Sequence, residues 1–234
     1  MKKIAFLMVC MFACMMTACS ESESEYATDV AYGTIVGTSP VTVQTDDSQT
    51  LIVADTKPLG SDFMYQPDYG QRVLIYYKRF VSADTGSETN QIKLFGYIHF
   101  ADGDSEIVAT SDDNTYGDVA MDIYQPNGYY NLVHLTKKVL DICLVFPATT
   151  EGYKNHTFTL VLNEEEPVTD NNYLQLTLCH SAPDSEANSK QYGANYHTFD
   201  MTLFEPYFGD TQGVRLVVAG LDKKEITHDF LWAK

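Results

Sequence analysis

The chain has 234 residues, with 15 lysines and arginines against 32 aspartates and glutamates and a formal net charge of −17. A nucleic-acid-binding surface needs clustered basic side chains that release counterions from phosphates, so this balance excludes nucleic acid as an expected partner. The acidity also argues against adsorption to anionic lipid headgroups. A chain of this length is sufficient for one large or two small β domains.

Residues 1–18 predict a removable export signal. Two lysines precede the apolar stretch 4–16, which is shorter than the roughly 20 residues that span a membrane as a helix. Residues 17–19 read Thr-Ala-Cys and resemble a bacterial lipoprotein signal, in which the cysteine, here Cys19, becomes the acylated N-terminus. An ordinary secretory signal cleaved near Ala18 is the alternative. The lipoprotein interpretation predicts membrane contact through a lipid anchor at Cys19.

An acidic tether is predicted over residues 19–29. Serine and glutamate alternate over residues 20–25, which resembles the export tag found after the lipidated cysteine in some surface lipoproteins. We therefore expect an outer-membrane lipoprotein that faces the cell exterior.

Strand patterns then follow with almost no helical periodicity. Five β-branched or aromatic runs, separated by turn residues, lie within residues 30–111. These runs are 31–36, 41–45, 50–54, 72–80 and 91–100. Their number, and the long connection 55–70, favour a small closed barrel of the OB type.

A turn-rich acidic composition at 101–104 and 111–114 predicts a domain boundary, and we place the second domain at 112–234. Short strand-like runs continue through it: 119–124, 130–135, 139–146, 157–162, 173–180, 196–204, 214–219 and 226–231. Only 137–140 and 203–208 could hold a helical turn. The predicted fold class is all-β, with the OB-like barrel followed by an antiparallel, immunoglobulin-like β-sandwich.

Few motifs in the chain carry recognisable chemistry. The six histidines include no HExxH motif and no pair at i, i+2 or i, i+4, so no preformed zinc site is predicted. The acidic runs 112–113 and 164–166 lack the spacing of a calcium loop, and no GxSxG motif is present. We therefore expect no metal, no cofactor and no catalytic residue.

Two cysteines remain after the signal and the anchor. Cys143 and Cys179 both lie in strand-like runs and would occupy an oxidising compartment. A disulfide between them and two buried free thiols are both compatible with the sequence.

Aromatic residues are the one enrichment that could indicate binding. The chain contains 16 tyrosines and 12 phenylalanines. Tyrosine in a β domain mostly covers sheet edges and core rims, whereas tyrosine on a loop offers a flat apolar face with a hydroxyl, which suits sugar or protein surfaces. The candidate ligand-binding residues are the loop tyrosines Tyr65, Tyr69, Tyr129 and Tyr130.

Four segments, together with the signal sequence, resemble those of the NigD-like lipoproteins: 33–36, 68–77, 173–180 and 196–201. The Gly-Gln-Arg-Val run at 70–73 is the most specific of them, and the chain departs from the family pattern at Cys179, where an arginine is expected. The resemblance covers most of the mature chain and implies an N-terminal OB domain followed by a C-terminal β-sandwich. The family takes its name from a protein proposed to confer immunity to a bacteriocin, so an immunity-type role is implied by analogy.

The functional prediction is a lipid-anchored envelope protein without catalytic activity that binds an extracellular protein or glycan ligand. The alternative is an extracellular hydrolase acting on a polymer such as glycan. An enzyme should bring several polar groups together in one deep pocket, whereas a binding module should present a shallow aromatic or edge-strand surface.

Overall fold

The computed structural model describes residues 27–59, 67–110, 115–124, 132–149, 155–222 and 224–233. The predicted signal segment 1–18 and the lipidation site Cys19 lie outside this part of the chain. Within the described residues, no helix is both long enough and apolar enough to cross a membrane. The structure is almost entirely β, which confirms the predicted fold class.

The first five strands close into a barrel in the order β1-β2-β3-β5-β4. Their bounds are β1 Asp29–Thr38, β2 Val41–Thr45, β3 Thr50–Asp55, β4 Arg72–Val81 and β5 Glu88–His99, with a 3₁₀ turn at Lys57–Leu59. Strand β5 pairs in parallel with β3 and antiparallel with β4, which returns to β1. Alternate apolar side chains face inward and form the barrel core, in which Ile35, Val43, Leu51, Val73, Ile75, Ile92 and Leu94 are fully buried.

The remaining nine strands form one curled sheet in the order β14-β13-β11-β10-β6-β12-β9-β7, with β8 paired to β9. Their bounds are β6 Ala101–Val108, β7 Asp122–Ile123, β8 His134–Leu135, β9 Val139–Pro147, β10 Thr157–Asn163, β11 Tyr173–Ser181, β12 Tyr192–Asp200, β13 Gly213–Ala219 and β14 Glu225–Leu231. Strands β7 to β14 fall on the predicted runs. The pairing is mixed rather than purely antiparallel, because β6 runs parallel to both β10 and β12, and β11 runs parallel to β13.

Strand β6 replaces the turn-rich segment that the sequence predicted. Its three acidic side chains point to solvent and alternate with partly buried ones, which is the period of a half-buried strand. Its first residues pair with β12 and its last with β10, so β6 joins the two halves of the curled sheet. Gly103 lies at the crossing, where a Cβ would clash with the Phe199 ring. The chain therefore leaves the barrel at Phe100, one strand before the boundary predicted at 111 and 112.

Two short helices lie in the second half, α1 Asp184–Ala187 and α2 Glu205–Phe208, and a 3₁₀ turn at Thr202–Phe204 precedes α2. The helical turn predicted at 203–208 is confirmed. The one predicted at 137–140 is wrong, because Val139 and Leu140 instead pair with β12 as the start of β9. Helix α1 was not predicted.

The barrel and the sheet share an apolar interface. Leu74 on β4 is buried in one cluster with Phe100, Leu132 and Cys143, and side chains from both halves pack around it. The sheet curls around a separate and larger core whose most enclosed aromatic residues are Phe146, Phe199 and Phe204.

Cys143 and Cys179, the two cysteines among the described residues, are both buried and form no disulfide with each other. Cys143 lies at the barrel interface, whereas Cys179 packs in a small separate cluster with Val108 and Val161. Of the two alternatives left by the sequence, the structure therefore has two separate buried thiols rather than a disulfide between them. Burial raises the pKa of the Cys143 thiol to about 11, so this thiol is not a reactive thiolate at neutral pH.

Candidate functional site

Of the four tyrosines predicted to bind ligand, Tyr69 is the one that lies among the described residues. Tyr65, Tyr129 and Tyr130 lie outside the described residues. Tyr69 lies on the turn before β4, next to Gly70 with a φ of +84°, and its side chain is 76% exposed. It is a solvent-facing aromatic on the barrel, far in sequence from the clefts of the sheet described next.

A second exposed tyrosine, Tyr192, borders a shallow cleft at one end of the curled sheet. The cleft has a volume of about 260 Å³ and is lined by Phe146, Ala148, Thr149, Gln191, Tyr192, Gly193, Ala194 and Asn195. Tyr192 is 58% exposed. Small residues form the depression, and the polar lining consists of amide and hydroxyl groups. We call this site the Tyr192 cleft; among the described residues that line it, none has a charged side chain.

Hydrogen bonds from helix α1 and its following turn fix the wall of the Tyr192 cleft. The carboxylate of Glu186 accepts from the backbone N–H of Thr149 at 2.6 Å and from its Oγ1 at 2.8 Å. The Ser189 hydroxyl donates to the Ala148 carbonyl at 3.2 Å, and the Ala148 N–H donates to the Gln191 carbonyl at 3.1 Å. A wall held in this way is preorganised, which lowers the entropy cost of binding.

Three buried histidines lie behind the cleft, and we call them the histidine cluster: His156, His180 and His197. The Phe146 ring, which lines the cleft, has its centroid 4.8 Å from that of His156 and 5.3 Å from that of His180. Phe158 stacks on His180 at 4.5 Å and contacts His197 at 4.4 Å. The aromatic rings therefore separate the histidine cluster from solvent.

The hydrogen bonding of the histidine cluster is incomplete. His156 Nδ1 and His180 Nε2 lie 2.8 Å apart, and His180 Nδ1 lies 3.2 Å from the Val119 carbonyl oxygen. Nε2 of His156 and both ring nitrogens of His197 are buried without a hydrogen-bond partner among the described residues. Unpaired buried nitrogens are costly. Burial also disfavours the charged form of an imidazole, and it lowers the pKa of His180 and of His197 to about 4.

A larger cleft, of about 530 Å³, lies on the other side of His180. Strands β11 and β13 form its floor, and Asp118, Lys224 and Glu225 contribute to its walls. Among its described lining residues His180 is the only aromatic one, and the His180 side chain is fully buried. It therefore lacks the exposed ring that distinguishes the Tyr192 cleft.

The junction of barrel and sheet holds a contrasting polar group, the Arg72 cluster, made of Arg72, Asp46, Asp141 and His134. Arg72 on β4 donates to Asp141 on β9 through Nε at 2.9 Å and Nη2 at 2.6 Å, and to Asp46 through Nη1 and Nη2, both at 2.6 Å. His134 Nε2 lies 2.7 Å from Asp46 Oδ2, and its ring stacks on Tyr32 at 4.1 Å. Asp141 is fully buried, and Arg72 is 6% exposed.

Electrostatics favour the charged forms in this cluster. Burial alone would raise the pKa of Asp46, but hydrogen bonds from Arg72 and His134 outweigh burial and hold that pKa well below its usual value. Burial would likewise lower the pKa of Arg72, yet its bonds to Asp46 and Asp141 raise it. The ion pair therefore stays charged throughout the physiological range.

The Arg72 cluster also contains the one trio of potential metal ligands found among the described residues. Oxygen or nitrogen atoms of Asp46, His134 and Asp141 lie within 4.8 Å of one another. The guanidinium of Arg72 already bonds both carboxylates, so its positive charge takes the position of a metal cation and would repel one. The arrangement is suited to joining the barrel to the sheet rather than to metal chemistry.

Sequence reasoning missed most of these residues, although three of the segments that carry the NigD-like resemblance contain them. The run 70–73 supplies Arg72, and the segments 173–180 and 196–201 supply His180 and His197. Glu186 was missed because α1 was missed. Its signal was Pro183 followed by acidic residues, which is typical of a helix start.

Comparisons with known proteins give the fold. No family model matches the chain, and no curated protein matches its sequence. Among solved structures, a protein of unknown function from Bacteroides vulgatus ATCC 8482 is 17% identical with a TM-score of 0.61, covering 88% of this chain and 90% of that chain. A lipoprotein candidate from Bacteroides fragilis NCTC 9343 is 11% identical with a TM-score of 0.59, covering 88% and 98%.

A NigD-like immunity protein from Bacteroides caccae ATCC 43185 is also similar. It is 12% identical with a TM-score of 0.52, covering 91% of this chain and 99% of that chain. The resemblance to NigD-like proteins is thus confirmed for the fold. At these identities the likeness extends to the fold alone.

Proposed function

We propose that the protein is a lipid-anchored, outward-facing protein of the outer membrane that binds a neutral carbohydrate of an extracellular polymer in the Tyr192 cleft, without catalysing its cleavage. The anchor is proposed from the Thr-Ala-Cys sequence ending at Cys19 and from the acidic run that follows it. The name of the Bacteroides fragilis neighbour, a lipoprotein candidate, is compatible with this.

The observation that carries the binding proposal is an exposed aromatic ring beside an uncharged polar lining. Tyr192 offers a flat apolar face, and Thr149, Gln191 and Asn195 offer hydroxyl and amide groups. A sugar ring has the same two properties, an apolar face and a rim of neutral hydroxyls. A charged ligand would find no countercharge among the described side chains that line the cleft.

Non-enzymatic binding is proposed because the Glu186 carboxylate and the His156 imidazole, which lie behind the cleft wall, are not among the described residues that line the cleft. Both oxygens of Glu186 already accept bonds from Thr149. The side chain of His156 has no exposed surface. A general acid or base must reach the proton that it transfers, and the described residues that line the Tyr192 cleft include no pair of carboxylates for the hydrolase alternative.

An immunity-type role is a weaker proposal. Its support is the name of the Bacteroides caccae neighbour and the sequence resemblance to the family. Immunity to a bacteriocin would require a protein-binding surface, which typically buries about 800 Å² on each partner. The cleft of about 260 Å³ is better matched to a single sugar unit.

One experiment on intact cells tests anchor, exposure and cleft together. Cells producing the full chain are incubated with a panel of fluorescent neutral oligosaccharides, and bound label is measured by flow cytometry with immunoblots for protein level. We expect at least one oligosaccharide to bind. Tyr192→Ala should weaken this binding about tenfold, or about 1.4 kcal/mol, since it removes the stacking face. Tyr69→Ala changes a tyrosine on the barrel that is also exposed (76%, against 58% for Tyr192); it is the control and should bind as wild type.

Each component of the proposal has an outcome that would overturn it. Binding of no neutral oligosaccharide by cells producing the wild type would reject the ligand class. Undiminished binding by Tyr192→Ala would reject the cleft. Cys19→Ala should release the protein from the cells with the label, and an unchanged cell-bound signal in that variant would reject the anchor.

A further inference from the structure

A chain of polar contacts runs from the wall of the Tyr192 cleft into the core. Thr149 donates to Glu186, and Glu186 Oε2 lies 3.9 Å from His156 Nε2. His156 Nδ1 meets His180 Nε2 at 2.8 Å, and His180 Nδ1 meets the Val119 carbonyl at 3.2 Å. Every link has hydrogen-bond length except the one between Glu186 and His156.

The position of the protons along this series of contacts explains the 3.9 Å separation between Glu186 Oε2 and His156 Nε2. A carbonyl oxygen only accepts, so His180 Nδ1 carries a proton and the Nε2 of neutral His180 is an acceptor. His156 must then donate through Nδ1, which leaves the Nε2 of neutral His156 as a bare lone pair. This nitrogen faces a carboxylate oxygen, and two acceptors cannot bond. One added proton on His156 Nε2 would convert the gap into a charge-assisted hydrogen bond of about 2.8 Å.

His156 is the member of the histidine cluster that takes this proton first. Burial lowers its pKa, but the neighbouring Glu186 carboxylate opposes that shift. His180, which faces His156 from β11, has its pKa lowered to about 4 by burial and by His156, and His197, on β12, has its pKa lowered to about 4 by burial. The bond from the Thr149 N–H lowers the pKa of Glu186, so this carboxylate remains an anion as the pH falls.

The proton on His156 would attract the same carboxylate oxygen that holds the cleft wall. Glu186 Oε2 accepts from the Thr149 N–H at 2.6 Å and is also the oxygen nearest to His156. To form a bond of about 2.8 Å to an imidazolium, Oε2 and His156 Nε2 must approach by about 1 Å from their separation of 3.9 Å. We propose that protonation of His156 draws Glu186 off Thr149 and loosens the Tyr192 cleft, which makes the cleft a proton-sensitive site that releases its ligand in acid.

This inference rests on the proposed role of the cleft, yet it can be tested without any ligand. Two-dimensional NMR of ¹⁵N-labelled protein between pH 8 and 5 follows the Thr149 and Tyr192 amides together with the histidine ring signals. We expect both amides to shift with a single midpoint that equals the midpoint of the His156 ring and lies below 6.5. His156→Gln, which cannot titrate, should abolish the amide shifts. His228→Gln, which removes a histidine on β14, should leave them unchanged.

The failure of this inference is distinguishable from failure of the proposed function, because carbohydrate takes no part in the titration. The inference would be overturned if the Thr149 and Tyr192 amide signals of the wild type did not shift with pH. It would also be overturned if the shifts persisted in His156→Gln. Glu186→Gln provides a second variant should His156→Gln not fold. Its amide can still accept from Thr149 but carries no charge to attract the imidazolium, so the pH-dependent shifts of the two amides should fall at least twofold. Shifts of wild-type size in Glu186→Gln would overturn the inference.

Discussion

The molecule contains two polar clusters in or at the edge of its interior, the Arg72 cluster and the histidine cluster. They differ in how far their polar groups are hydrogen-bonded. The Arg72 cluster is charged, and hydrogen bonds of 2.6 to 2.9 Å join its guanidinium to two carboxylates from different parts of the chain. The histidine cluster is neutral, and three of its ring nitrogens are buried without a hydrogen-bond partner among the described residues. Burying a polar group is tolerated when it is paired and is costly when it is not.

The difference indicates what each region is for. A saturated network has one favourable arrangement, so the Arg72 cluster fixes the barrel against the sheet. The histidine cluster has ring nitrogens without a hydrogen-bond partner among the described residues, so protonation of one of them changes the free energy of the folded state. Unpaired buried groups of this kind are expected where function outweighs stability, and they lie here directly behind the Tyr192 cleft.

The largest effect should come from breaking the paired cluster. Arg72→Met leaves Asp141 buried without its partner, and we expect the free energy of unfolding to fall by about 3–5 kcal/mol in urea titrations at pH 7.5. Arg215→Met is the matched control, because Arg215 makes the same two-pronged contact with Asp229, at 2.7 Å, on the exposed strand β14. That control should shift the urea midpoint little.

A double variant sharpens this test. Arg72→Met combined with Asp141→Leu removes both buried charges and should recover much of the lost stability, since a buried ion pair contributes little over an apolar pair of similar volume. If Arg72→Met is no more harmful than Arg215→Met, the Arg72 cluster does not hold the two halves together.

A smaller effect of opposite sign is expected in the unpaired cluster. His197→Leu removes two unbonded nitrogens, so the free energy of unfolding at pH 7.5 should rise by about 1 kcal/mol. His180→Leu is the comparison, because His180 bonds His156 and the Val119 carbonyl, and its loss should destabilise the protein. A fall in stability for His197→Leu would mean that bound water already satisfies these nitrogens in solution.

Local patterns in the sequence predicted much of the fold. Runs of β-branched residues located most strands, and turn residues such as Gly70 marked where they end. Strand β6 was missed because its alternating acidic residues resemble a loop composition, and the partners that make it a strand, β10 and β12, lie more than 50 positions away. The parallel pairings depend on the same long-range contacts.

The candidate site was less predictable than the fold. Tyr192 was not among the tyrosines predicted to bind ligand, since its place beside the small residues Gly193 and Ala194 at a cleft arises only when β12 pairs with β9. Arg72, His180 and His197 were visible in the segments that resemble NigD-like proteins, but their burial and partners arise from tertiary contacts. The spacing of these residues along the chain carries no information about their burial or about their hydrogen-bond partners.

The most direct test of the contrast between the two clusters is amide hydrogen exchange at pH 7.5 and pH 5.5, corrected for intrinsic rates. A buried histidine whose pKa falls from 6.5 to about 4 on folding contributes stability that is present above pH 6.5 and is lost as the pH falls towards 4. At pH 5.5 the loss is about 1.4 kcal/mol, or tenfold, for one such group. Asp46, with its lowered pKa, contributes stability that is lost only below its unfolded pKa of 3.8.

Because regions of a protein also open locally, the account predicts roughly tenfold faster exchange at pH 5.5 in openings that expose the histidine cluster, followed at Thr149 and helix α1, and unchanged exchange in openings confined to the surroundings of Arg72 and Asp141. Equal acceleration in both regions, or faster exchange confined to the barrel junction, would contradict it.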